Sequence, residues 1–189
     1  VTTMVFDASS ASSIGQHQII PLLKRLAQED PDSNVRRRAM RSLRCLATQA
    51  CDDSDIHNAC WIALSTNDII SFFVNSIRTD TSDDDDNDRD AQIQVCQALS
   101  CLIARLEDDA LWPILETSLQ KRVETTNDVK LIASACRCLQ QCVSKSPWRR
   151  GPNSFSDMFW MRLKSSVQTS KDVHASVSDL LHELATHEA

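Results

Sequence analysis

The chain has 189 residues, the size of one domain or of one section of a larger protein, and is long enough to bury a sizeable core. It holds two glycines (Gly15 and Gly151), five prolines and no tyrosine, which excludes glycine-rich phosphate loops, nucleophile elbows and sheets built on many tight turns. The net charge of -6 is unevenly spread: residues 1–50 carry +3, residues 51–110 carry -11 and residues 111–189 carry +2. That balance argues against a uniformly basic surface for duplex nucleic acid.

In chain order, residues 1–15 read as a flexible N-terminal segment. Val1 to Ser13 lacks the basic-then-apolar pattern of a signal peptide, and the missing initiator Met suggests a processed or trimmed chain. No apolar run approaches the roughly 20 residues that span a bilayer. Residues 16–189 read as one helical domain. Its first helix carries Ile19-Ile20-Pro21-Leu22-Leu23, with Pro21 expected in the first turn, where a missing N–H breaks no helical bond.

The second helix has Val35, Ala39, Leu43 and Leu46 at i, i+4, i+8 and i+11, one apolar stripe. Arg37, Arg41 and Arg44 fall at i, i+4 and i+7, roughly 170° around the helix from that stripe at about 100° per residue. A short extra helix is predicted over Asp55 to Leu64, and an apolar one over Ile69 to Ile77. Next comes an acidic loop insertion over residues 79–90, with Asp80, Asp83 to Asp86, Asp88 and Asp90. Carboxylates this close repel one another and favour a solvated loop. It is not a calcium loop: Asp88 stands where the glycine belongs and Gln94 where the bidentate Glu belongs.

Leu111-Trp112-Pro113-Ile114-Leu115 repeats the pattern of the first helix. A connector over residues 144–154 places Trp148 beside Arg149 and Arg150, either as an interface residue or as a ring folded back over the apolar edge. A helix over Phe155 to Val167 and a last one ending at Leu184 follow. Asn34, Asp90, Asp128 and Asp172 stand at the predicted starts of the four second helices, where a side-chain oxygen can accept from first-turn amides.

These elements repeat. Ser42-Leu43-Arg44-Cys45-Leu46, Ala98-Leu99-Ser100-Cys101-Leu102, Ala135-Cys136-Arg137-Cys138-Leu139 and Leu180-Leu181-His182-Glu183-Leu184 close four helix pairs, with final leucines 56, 37 and 45 residues apart. One pair cannot bury its apolar face alone, so pairs at such spacing stack on one another. From Ile20-Pro21-Leu22-Leu23-Lys24-Arg25-Leu26, through Asp32, to Val35, Ala39, Leu43 and Leu46-Ala47, the first pair resembles an armadillo or HEAT repeat. The resemblance extends over about residues 16–187 and implies an all-α, right-handed α-solenoid of about four repeats that binds other macromolecules. Thr66-Asn67-Asp68 stands where an armadillo repeat has its glycine turn.

In armadillo-like solenoids the last helix of each repeat lines the concave surface, so the resemblance puts the arginine ladder in a groove. Arginine offers a planar fork for carboxylates, phosphates or peptide carbonyls. The expected partner-binding residues are Arg37, Arg41, Arg44, Gln97, Arg137, Gln141 and Trp148, and the expected partner is an extended or acidic protein segment. The role is that of a non-enzymatic scaffold with no cofactor. A section of a larger solenoid assembly and a nucleic-acid-binding HEAT-like module are the alternatives.

The eight cysteines sit largely within helical apolar patterns, which suits reduced thiols in the cytoplasm or nucleus. Cys138 and Cys142 are expected on one face of their helix with Cys136 pointing away; without a Cys-x-x-Cys pair this is not a zinc site. His182-Glu183 and His187-Glu188 resemble the paired motifs of HEAT-repeat di-iron hydroxylases, but both lie on one helix here, so no metal is expected.

Overall fold

The computed structural model describes residues 13–50, 61–65, 68–78, 86–103, 111–145 and 154–187, and the structural statements below concern these. They are helical with no strand among them. Eight helices are bounded: α1 (Ser13–Glu29), α2 (Ser33–Gln49), α3 (Ile69–Arg78), α4 (Asp86–Leu102), α5 (Leu111–Thr125), α6 (Val129–Lys145), α7 (Asp157–Val167) and α8 (Lys171–His187). Residues 61–65 are helical as well.

Short polar turns make the pairs. Between α1 and α2 the Asp32 carboxylate accepts from the Asn34 amide at 2.8 Å. Arg36 donates back to the carbonyls of Asp30 and Pro31 at 2.8 and 3.3 Å. Between α5 and α6, Asp128 accepts from the Leu131 amide at 2.9 Å, and buried Thr126 accepts from the Asp128 amide at 3.1 Å. Ser156 caps α7 by accepting from Phe159 at 3.1 Å. Each cap satisfies a first-turn amide that has no helical partner.

α1 packs on α2, α3 on α4, α5 on α6 and α7 on α8. The second helices α2, α4, α6 and α8 also pack successively on one another, and so do α3, α5 and α7. The result is two rows of helices around one apolar core that extends from Ile20 to Leu184. α6 lies between α4 and α8 and also packs on α5, so ten of its residues are buried, from Leu131 to Val143. Among the described residues, no helix is long and apolar enough to cross a membrane.

Several boundaries differ from the sequence expectation. α1 begins at Ser13, inside the stretch read as flexible, so Pro21 lies in the helix interior and not in its first turn. An interior proline costs about 3 kcal/mol; here it is exposed beside the fully buried Ile20. Asp32, not Asn34, caps α2, because the helix already starts at Ser33.

α4 begins at Asp86, so the last five residues of the expected acidic loop are helical and Asp90 is not a cap. Acidic residues are favoured in a first turn, where the macrodipole is positive. Ser144 and Lys145 of the expected connector finish α6, and Asp172 lies in the first turn of α8 and not before it. The acidic residues Asp80 and Asp83 to Asp85, the Asp55 to Cys60 stretch of the predicted extra helix, and Trp148 lie outside the described residues.

Candidate functional site

The predicted arginines lie along α2, and three different fates befall them. Arg37 is half-buried and donates to the Asn34 amide oxygen at 3.1 Å, a tie within its own helix. Arg41 is exposed. Arg44 crosses to the next second helix, where its Nη1 donates to Gln97 Oε1 at 2.8 Å. Two residues expected to meet a partner thus meet each other, and join α2 to α4.

The same occurs further along the row. Arg137 holds the position in α6 that Arg44 holds in α2, and its Nε donates to Ser176 Oγ of α8 at 3.1 Å. Ser176 is buried and donates in turn to the Asp172 carbonyl at 2.8 Å. The rest of Arg137 is exposed, and Gln141, one turn on, is half-buried. Equivalent arginines therefore bridge adjacent second helices, Arg44 half-buried and Arg137 exposed. A hydrogen bond of this kind contributes on the order of 1 kcal/mol.

Sequence reading missed Arg122. It is 5% exposed in α5, and its Nη2 donates to the Ile77 carbonyl at 2.8 Å, at the C-terminal turn of α3. A cation there satisfies an orphan carbonyl and complements the negative end of the helix dipole. Nothing in a Lys-Arg-Val run separates such a residue from a solvated one; only the three-dimensional neighbour does.

The thiols gather where α4 meets α6. Cys138 is hydrogen-bonded to Cys142 and interacts with Cys96 and Cys101 across the interface. Cys136, two positions before Cys138 and so on another side of the helix, interacts with Cys96 and is buried too, because α6 is covered on most sides. Burial pushes the Cys96 thiol up to about 12, partly offset by the nearby Arg122 guanidinium. Burial likewise pushes Cys136 up to about 12, and Cys138 well above the ordinary thiol range.

Cys96, Cys136 and Cys138 pack as small apolar side chains of the core. Among the six described cysteines no disulfide is formed. Among the described residues no group of three or more His, Cys, Asp or Glu side chains is arranged to hold a metal ion.

No protein-family model matches the chain, and no curated protein or solved structure matches it either.

Proposed function

We propose that the chain is an armadillo/HEAT-like α-solenoid and acts as a non-enzymatic scaffold that takes an extended, acidic protein segment along its second-helix row. The reading is supported by the stacking of α2, α4, α6 and α8 on one another beside a second row. The observation that carries the partner chemistry is the exposed Arg41 between Arg37 and Arg44, followed along the row by Gln97, Arg137 and Gln141. Arginines fixed at one edge by Gln97 and Ser176 are pre-ordered for a planar, bidentate acceptor, which lowers the entropy cost of binding. Free thiols suit a reducing compartment, the cytoplasm or nucleus.

Affinity capture from source lysate tests this with wild type against Arg41→Glu. Loss of one acidic partner with unchanged melting supports the reading, and an unchanged set of captured proteins overturns it.

A second reading, a section of a larger assembly, has its own observation. Ile19, Leu22 and Leu26 of α1 and Val35 and Leu46 of α2 remain exposed or half-buried. A self-association that Leu22→Glu abolishes, read by sedimentation, would favour it.

A further inference from the structure

α2 and α4 lie side by side and run in the same direction. Arg36 and Met40, toward the start of α2, border the same cleft as Ala91 and Val95 of α4. Arg44 and Gln97 meet toward the other ends of the two helices, 53 positions apart in the chain. Parallel helices in contact keep such an offset over a few turns. Carried along the ladder, it sets Arg37 opposite Asp90 and Arg41 opposite Gln94, as Arg44 is opposite Gln97. Each triplet falls at i, i+4 and i+7, so each is one stripe, and the two stripes face each other across the seam.

Of the three rungs, the last is joined, by the bond from Arg44 Nη1 to Gln97 Oε1 at 2.8 Å. On the other two, α4 presents acceptors that lack donors. Asp90 Oδ2 and Gln94 Oε1 are shut off from solvent and meet no donor among the described residues, and Gln94 as a whole is 7% exposed. Opposite them, Arg41 is exposed, and Arg37 is turned back to the Asn34 amide oxygen at 3.1 Å. A carboxylate oxygen kept from water is the acceptor that loses most by going without a donor.

We propose that Asp90 is an internal competitor for the arginine ladder: Arg37 exchanges the Asn34 amide oxygen for the Asp90 carboxylate, and a guest segment must take Arg37 from it. The inference rests on the reading of the ladder as a docking face for an acidic segment. A carboxylate is a stronger acceptor for a guanidinium than an amide oxygen is. The swap needs only rotation about side-chain bonds, since Asn34 precedes Arg37 by one helical turn and Asp90 lies across the seam. Gln94 offers Arg41 a neutral acceptor, so that rung is weaker and leaves Arg41 at the surface. With Arg37 on Asn34 the ladder is open, and self-pairing lowers its apparent affinity by the fraction of chains that are closed.

Two measurements on the full chain test this. The first is a double-mutant cycle in urea unfolding with Arg37→Ala, Asp90→Ala and the pair. The two changes are expected to be non-additive by at least threefold in the folding equilibrium constant. A cycle of Arg38→Ala with Asp90→Ala, from the next face of α2, should be additive within 1.5-fold. The second is fluorescence anisotropy with fluorescein-labelled deca-glutamate. Asp90→Ala should bind it at least threefold more tightly than wild type. In the Arg37→Ala background the same change should leave binding within 1.5-fold, because no Arg37 remains to be released.

Additive unfolding of Arg37→Ala and Asp90→Ala overturns the proposal, and so does an affinity that Asp90→Ala leaves unchanged. Tightening that persists in the Arg37→Ala background also overturns it, as plain repulsion between Asp90 and the peptide. Non-additive unfolding with no peptide bound by any variant at 1 mM overturns the docking reading and the competition with it, leaving Arg37 and Asp90 as a structural tie.

Discussion

α2 and α6 are both 17-residue second helices in the same row, and they have opposite surfaces. α6 has a second-row neighbour on each side, and its charged residues are confined to Lys130, Arg137 and Lys145. Among the described residues α2 packs on one such neighbour, α4, and carries Arg36, Arg37, Arg38, Arg41 and Arg44. Position in the row, more than the helix's own propensity, sets how much polar side chain it can carry.

The largest expected difference between the two helices is in their apolar positions. Leu139→Ala in α6 empties a fully buried site and should cost about 2–5 kcal/mol. Leu46→Ala in α2, only partly buried, should cost less than half of that, as read by urea unfolding. Equal losses would erase the contrast.

Alkaline pH should act through Cys96 of α4 and Cys136 of α6. Below about pH 9 the thiols are protonated whether folded or not, and they contribute no pH dependence. Between about pH 9 and 12 the unfolded chain gives up protons that folded Cys96 and Cys136 retain, so stability falls as pH rises. Each thiol contributes about 1.4 kcal/mol per pH unit in that window. The chain has no tyrosine to titrate alongside them. Reduced protein unfolded in urea at pH 7.5, 9 and 10 measures this, and Cys136→Ala should flatten the slope.

Two smaller effects sharpen the comparison further. Arg44→Ala and Gln97→Ala should each cost about 1 kcal/mol, with the double variant costing little more than either alone. Asp128→Ala should cost about 1 kcal/mol by removing the cap of α6. Asn34→Ala, at a site expected to be a cap and found inside α2, should cost less. The smallest effect is that of Arg41→Glu, expected within about 0.5 kcal/mol of wild type.

Much of the helical plan was legible because it rests on local spacing. Ile69 to Ile77, Leu111 onward and Val35 through Leu46 carry their periodicity openly, and Asp128 is the cap its position predicted. Helix starts were harder where several capping residues crowd together. Asp32 and Asn34 are equally suited by type, and the choice between them depends on the turn made by Asp30 and Pro31. Asp86 to Asp90 read as loop on repulsion alone, whereas the helix end supplies a positive dipole.

The candidate face was legible as a stripe of residues on α2 but not as a set of contacts. That Arg44 meets Gln97, 53 positions away, depends on how α2 and α4 lie against each other. The same holds for Cys136, whose burial follows from the helices around α6 and not from its own sequence.

The buried Arg122 has a consequence for the order in which the molecule comes apart. A row of helix pairs tends to unzip from its ends, each pair fraying independently. Arg122 makes α3 depend on α5: if α5 leaves, the Ile77 carbonyl in the last turn of α3 loses its donor. The second and third pairs should therefore open as a single cooperative block. In native-state hydrogen exchange their amides would share one opening free energy, while those of α1 exchange earlier.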